Sequence, residues 1–439
     1  MTERKIERQS LSHNKRILIL SFEPISLTNS NGRTIRNVLK KFPKESIYNI
    51  YLHGNPDLKR ANYLCVSDKQ ALMSLFFKKP VFVDPNQDNT NFKKADSKNN
   101  RNGLLKDRSN FKLLIREFAW RTHSIRKGLL NQVQTINPDV MVVFFGDAGF
   151  MLDNAVYISE KLDIPIITFN CEDYYFKDYD YVKFRKRKSL IHRLYKKVFV
   201  KSVKRIMKIA SSSIYLTNDL EELYKTEFKN QNSYTIYNSS ELVDSNVTIN
   251  HRPNNHNFVY AGNVRDGRLA ELEKVGEIIK TIDPDYYLVV YSQEENEEIL
   301  RILQSSKNYI FKGSINYSAV INEIKTSFAI LHIESKCPFY AKHTIHGFST
   351  KLSDCLASGN CFIALCNEDS TVYKYLKQNS CAYCFSDYEE LKKGIAGIIA
   401  NPDARLKYVN NAIEIAHKYH SSDLNSEKFS NIVGTVIGK

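Results

Sequence analysis

The chain has 439 residues, too many for one ordinary core and enough for two domains of about 200 residues each. With 42% hydrophobic and 12% aromatic residues it belongs to the globular class, which excludes a disordered chain, and no apolar run reaches the roughly 18 residues that span a bilayer. The 63 Lys and Arg against 48 Asp and Glu leave a net charge of +15, so anionic partners are expected: phosphate-bearing substrates, an anionic bilayer surface or nucleic acid.

The opening MTERKIERQSLSHNKR has no apolar core, so no signal peptide is expected; a cytoplasmic protein with eight reduced cysteines is. Residues 16–22 (RILILSF) form a buried strand, and SLTNSNGRT leads into an amphipathic helix opened by Gly32 and carried by Ile35, Val38, Leu39 and Phe42. Strand, small-residue loop and helix begin a doubly wound domain, and the missing G-x-G-x-x-G argues against a nicotinamide cofactor. A strand over 48–52 follows. The stretch 84–110 is rich in Asn, Asp and Lys and reads as a flexible insertion, after which one long helix over 111–136 carries the only tryptophan, Trp120, as core or acceptor-side packing.

Strand, helix, "IP" and strand then set the beat of a parallel sheet, with Asp147, Glu172 and Asp173 at strand ends where ligands gather. The pattern Asp178-Tyr179-Asp180 reads as a solvated turn rather than a metal site. Residues 183–208 hold twelve Lys or Arg and no acid, and from Leu190 onward Leu194, Val198, Val203, Ile206 and Met207 make an apolar stripe on a basic helix. That helix suits a domain core with a charged back, an anionic lipid surface or nucleic acid. The one-sided charge favours the membrane surface, and with no reading motif beside it nucleic acid is not expected. The N-terminal half closes at about residue 245, and the polar stretch 246–256 reads as a linker.

The second half, 257–420, restarts with a strand over 258–261, then Gly262, Arg265 and Arg268 ahead of a helix: cations beside a helix N-terminus suit a phosphate. Strands and helices alternate through Gly313 to a strand over 328–333 ending at Glu334. In HGFSTKLSDCLASGNCFIAL, His346 to Leu365, Gly347, Ser349 and Thr350 precede a short helix; Lys351 offers a point charge to phosphate and Asp354 an acceptor for a sugar or ribose hydroxyl. Gly359 breaks that helix before a buried strand over 361–365. Cys361, Cys366, Cys381 and Cys384 read as buried small hydrophobes rather than zinc ligands, and His343 with His346 lacks further ligand spacing, so no metal is expected. Residues 421–439 form a last helix.

Lys351, Asp354, Ala357, Gly359 and Ala364 resemble the donor-site motif of family 4 glycosyltransferases of the bacterial surface-polysaccharide type. The resemblance covers nearly the whole chain in element order. It implies an α/β fold of GT-B architecture: two Rossmann-like doubly wound domains facing a central cleft, with 421–439 crossing back to the first domain. It further implies that the loop with Gly32, a donor-binding candidate, sits across the cleft from the donor phosphates and near the acceptor, that Gly262 and the nearby arginines contact the diphosphate, and that Gly313 helps hold the base. In that family a His-Asp pair often stands where this chain has Glu172-Asp173, and an acid stands where it has His346. The implied activity is transfer of a sugar, retaining and metal-independent, from a nucleotide-diphosphate-sugar donor to a glycan or lipid-linked acceptor. A UDP-sugar is the favoured co-substrate, no cofactor is expected, and the protein is peripheral at the inner face of the membrane. The alternative is an inactive GT-B module that binds a glycan or a partner transferase; a sugar-nucleotide epimerase of the same fold comes after it.

Overall fold

Two all-parallel sheets organise the chain, each within its own compact unit: residues 1–237 with 425–439, and residues 238–424. The computed structural model describes residues 15–27, 29–76, 79–85, 109–230, 232–244, 249 and 255–438. The expected insertion 84–110 and linker 246–256 fall largely outside the described residues.

The sheet of the N-terminal unit comprises β1 (Ile17–Ser21), β2 (Ile47–Tyr51), β3 (Asn62–Cys65), β4 (Val140–Phe145), β5 (Ile166–Asn170), β6 (Ser212–Tyr215) and β7 (Ser233–Thr235), in the order β3-β2-β1-β4-β5-β6-β7. Successive side chains leave a strand on opposite faces, so each strand feeds two cores. Leu18, Leu20, Met141 and Val143 enter one; Ile17, Ile19, Val140 and Val142 enter the other. Burial on both faces is why these strands read as unbroken apolar runs. The second core is completed by helix α1 (Ser30–Val38) and by Phe429, Ile432, Val433 and Val436 of the C-terminal helix. That helix is tied down where Ser426 Oγ accepts the Lys41 amide at 2.9 Å and Lys428 Nζ reaches the Thr235 carbonyl at 2.7 Å.

Two features of this unit correct the sequence reading. Helix α2 (Asp68–Ser74) and strand β3 were not anticipated, because NYLC is too short to announce a strand. The single helix expected over 111–136 is two, α3 (Asn110–Ala119) and α4 (His123–Ile136), broken at Thr122, whose hydroxyl caps the second. Trp120 sits at that break, buried, its Nε1 donating to Asp68 Oδ1 at 2.7 Å, and it packs in the core. Helices α5 (Gly149–Leu162), α6 (Leu190–Ile209) and α7 (Asn218–Phe228) complete the unit.

In the C-terminal unit β8 (Asn257–Ala261), β9 (Tyr287–Tyr291), β10 (Tyr309–Gly313), β11 (Ala329–Ile333), β12 (Phe362–Leu365) and β13 (Tyr383–Phe385) lie in the order β10-β9-β8-β11-β12-β13. Around them run α8 (Arg268–Ile282), α9 (Glu297–Ser305), α10 (Tyr317–Thr326), α11 (Pro338–Thr344), α12 (Lys351–Leu356), α13 (Thr371–Gln378), α14 (Tyr388–Ala400) and α15 (Leu406–Tyr419), with α16 (Ser422–Ile437) returning to the N-terminal unit. Gly359 takes the left-handed φ of 74° that turns the chain from α12 into β12. Each sheet reverses its strand order once, between β1 and β4 and between β8 and β11. Ligands of open parallel sheets collect at the carboxyl ends on either side of such a reversal.

Candidate active site

In the C-terminal unit the sheet reversal gathers residues that lie far apart in sequence. Gly262 follows β8, and Lys351, the first residue of α12, donates from Nζ to the Ala261 carbonyl at 2.6 Å. A Cβ on Gly262 would stand 3.0 Å from that ammonium and 2.8 Å from Tyr260 Oη, so glycine is what lets the lysine approach the strand end. Arg268, the first residue of α8, reaches the carbonyl of Ile333 at the end of β11 with Nε at 3.3 Å. Glu334, buried at the same strand end, stands 3.3 Å from His332 Nε2. Lys351, Gly262 and Arg268 thus meet at the carboxyl ends of β8 and β11.

Arg265 is committed elsewhere. Its guanidinium forms a two-point pair with Glu294, Nε at 2.8 Å and Nη2 at 2.5 Å, and that bond holds the Glu294 carboxyl down to about 2. Gly313 ends the edge strand β10 with φ of 73°, and its carbonyl accepts the Ser292 amide at 3.0 Å. His346 precedes the turn into α12 with Nδ1 buried and, among the described residues, without a hydrogen-bond partner. The Gly347 amide closes a turn on the Thr344 carbonyl at 2.8 Å. Ser349 Oγ takes the Lys351 amide at 3.4 Å, while Thr350 provides no side-chain cap. Asp354 points inward: its Oδ1 accepts Ser240 Oγ at 2.6 Å and Tyr317 Oη at 2.9 Å. The four cysteines from Cys361 to Cys384 are buried, and burial pushes the Cys361, Cys381 and Cys384 thiols up to about 12.

In the N-terminal unit Gly32 lies inside the first turn of α1, where a Cβ would meet the Pro24 carbonyl at 2.5 Å; close backbone approach is its reason for being glycine. The acids at the carboxyl ends of β4 and β5 form a cluster. Asp173 pairs with Lys177 at 3.0 Å, both buried. Glu172 beside them is pushed up to about 7, by burial first, with Lys177 opposing and Asp173 and Asp147 adding to the rise. Lys196, from the basic helix, is brought down to about 7 by burial, donates to the Tyr174 and Tyr175 carbonyls and lies over the Tyr181 ring. Sequence reasoning missed Lys177 and Lys196 as partners of the acids. The spacing of four from Asp173 signalled the first; nothing in a run of twelve basic residues singles out the second.

The Asp178 to Asp180 turn is a correction. Asp180 is only 1% exposed, because Asn110 Nδ2 at 2.7 Å, His192 Nδ1 at 3.2 Å and the Val182 and Lys183 amides close around it. The apolar stripe of α6 is corrected too. Its buried face is carried by His192, Tyr195, Phe199, Val203 and Ile206, whereas Leu190 is 80% and Leu194 47% exposed. Among the described residues no helix is long and apolar enough to cross a membrane.

Comparison with solved structures decides the architecture. HepE from Anabaena in complex with UDP is 9% identical, with a TM-score of 0.62 over 96% of this chain and 100% of that one. The fold is GT-B. Sucrose-phosphate synthase from Thermosynechococcus elongatus matches at 11% identity and a TM-score of 0.61, over 97% of this chain and 100% of its own. A glycosyltransferase from Rickettsia africae matches at 13% and 0.58, over 97% and 99%. No protein-family model matches the chain, and no curated protein matches it. At these identities the likeness carries the GT-B fold, and the chemistry rests on the chain's own residues.

Proposed function

We propose that this GT-B chain is a glycosyltransferase that moves a sugar from a nucleotide-diphosphate-sugar, a UDP-sugar by preference, to an acceptor hydroxyl. The observation that carries the reading is the convergence of Lys351, Gly262 and Arg268 at the carboxyl ends of β8 and β11. Glycosyl transfer builds negative charge on a departing diphosphate, and fixed cations at a sheet reversal stabilise that charge without reorganising. Protein cations fill the role a metal would otherwise take, so the reaction is proposed as metal-independent. Retention of anomeric configuration is carried forward from the resemblance. The printed names of the solved neighbours support the reading: HepE is recorded with UDP and with UDP-glucose.

The acceptor is assigned to the carboxyl edge of the N-terminal sheet. There Glu172, poised near neutral pH, takes the proton of the acceptor hydroxyl, and Lys177 and Lys196 keep the neighbouring charge in balance. The exposed Leu190, Ile191 and Leu194, amid Lys186, Arg187, Arg193 and Lys197, fit the headgroup region of an anionic bilayer, which suits a lipid-linked acceptor at the inner face of the cell membrane and a role in surface-polysaccharide assembly. The pairing of Arg265 with Glu294 and of Asp354 with Ser240 and Tyr317 favours one other reading, an inactive module that binds a glycan or partner transferase.

Melting curves against UDP, GDP, ADP and CMP, followed by a UDP-sugar turnover assay, separate the two. Stabilisation by UDP with release of UDP from a sugar donor is expected; UDP binding without turnover of any donor supports the inactive module. Indifference to all four nucleotides refutes the transferase reading and leaves the glycan- or partner-binding module. For the membrane, flotation with vesicles containing phosphatidylglycerol should lose the protein in a Leu190→Ser/Leu194→Ser variant, and equal flotation of variant and wild type refutes the contact.

A further inference from the structure

The N-terminal unit has its own sheet reversal, between β1 and β4. Phe22 directly follows β1 and Gly146 directly follows β4; a Cβ on Gly146 would stand 3.5 Å from the Phe22 ring, so the two strand ends meet. Arg116 of α3 comes over this point, with its guanidinium carbon 5.2 Å from the centre of the Phe22 ring and 4.9 Å from that of Phe150. Its inner edge is fixed: Nε donates to Asp68 Oδ1 at 2.7 Å, and the same oxygen takes Trp120 Nε1, while the indole stacks on Phe150 at 4.8 Å.

No described residue accepts from Nη2. Arg116 is 8% exposed, and its Nη2 is buried without a hydrogen-bond partner among the described residues. A buried donor left unpaired is costly, and evolution tolerates it where something else supplies the partner. Arg121, one turn on, is the contrast: it is shared among Glu117, Asp153 and Ser202, and Glu117 also takes the Gly149 amide at 2.9 Å. The acids of this edge are thus spent on other groups. A guanidinium held at Nε by a carboxylate, lying over two phenyl rings and with Nη2 left without a described partner, suits an oxyanion in charge and hydrogen bonding.

We propose that the N-terminal unit binds an oxyanion, a carboxylate or a phosphate, at the ends of β1 and β4 through the Nη2 group of Arg116. That the anion belongs to the acceptor rests on the transferase reading above; the anion site itself does not. Phe22, half-buried at the strand end, lies against the guanidinium.

The test uses the full chain with UDP present in excess, so that phosphate cannot report on the C-terminal unit. Inorganic phosphate and glucuronate are titrated calorimetrically, with glucose as the neutral control, into wild type, Arg116→Gln and Arg116→Lys. Wild type should bind one or both anions and not glucose. Arg116→Lys, which keeps the charge beside Asp68 but loses the Nη2 donor, should bind about tenfold more weakly, and Arg116→Gln should show no binding. Phosphate alone, or glucuronate alone, identifies the group the acceptor carries. Equal anion affinity in wild type and both variants overturns the proposal, as does wild type that binds neither anion. Should Arg116→Gln not fold, Arg116→Lys carries the comparison. A UDP titration run alongside keeps the readings apart: wild type that ignores UDP but binds phosphate through Arg116 refutes the donor assignment and not this one.

Discussion

Removing the ammonium of Lys351 is the most direct perturbation of the proposed donor site. Nζ donates to the Ala261 carbonyl at 2.6 Å, and loss of that bond in Lys351→Ala should cost the fold about 1 kcal/mol, a typical net value. A charge-assisted bond to a diphosphate is worth about 1.5–3 kcal/mol, roughly a ten- to hundredfold loss of UDP affinity. Melting curves read this well. UDP at 100 times the wild-type dissociation constant should stabilise wild type by about 2.7 kcal/mol, and a thirtyfold weaker variant by about 0.9 kcal/mol. Gly262→Ala supplies the geometric control, because its Cβ would arrive 3.0 Å from Nζ and displace the ammonium by a few tenths of an ångström without removing its charge. Its loss of affinity should fall between wild type and Lys351→Ala. A folded Lys351→Ala protein that binds UDP as wild type does would refute the reasoning.

The other predictions concern pH and packing. Glu172 is raised from 4.5 to about 7 in the native state, so between those values the native protein holds a proton that the unfolded chain releases, and stability falls as pH rises through that window. Glu172→Gln should remove that slope and leave the protein about 1–3 kcal/mol more stable than wild type at pH 8, with no difference at pH 4; parallel urea titrations check it. His420 behaves oppositely. Burial brings it down from 6.5 to about 4, with Tyr375 Oη at 2.7 Å from Nε2 and the Asn238 carbonyl 2.6 Å from Nδ1, so stability is lost as pH falls from 6.5 towards 4, and His420→Asn should flatten that acid limb. Phe429→Ala should cost about 3–5 kcal/mol, since the ring is fully buried edge-on against Phe42 at 5.8 Å. Asn431→Ala, on the exposed side of the same helix, should change stability by less than about 0.5 kcal/mol in the same denaturant titration.

The sequence by itself determined the two doubly wound halves, because parallel strands covered on both faces must be apolar throughout and the intervening helices keep their period. It also marked Lys351, Gly262 and Arg268, since cations and small residues beside a strand end are a local signal. Short elements such as β3 and α2, and the break at Thr122, escaped because a few residues carry too little periodicity. Tertiary structure alone decided which partners the candidates take. Glu294 reaches Arg265 across 29 positions and Tyr317 reaches Asp354 across 37, and no local pattern announces such partners. It alone turned the first third of α6 outward, because the core contact there goes through His192 and Tyr195 rather than through the leucines. And it alone placed Arg116 over the ends of β1 and β4, where a charge that reads as one of 63 in the chain acquires a fixed carboxylate at Nε and, among the described residues, no partner at Nη2.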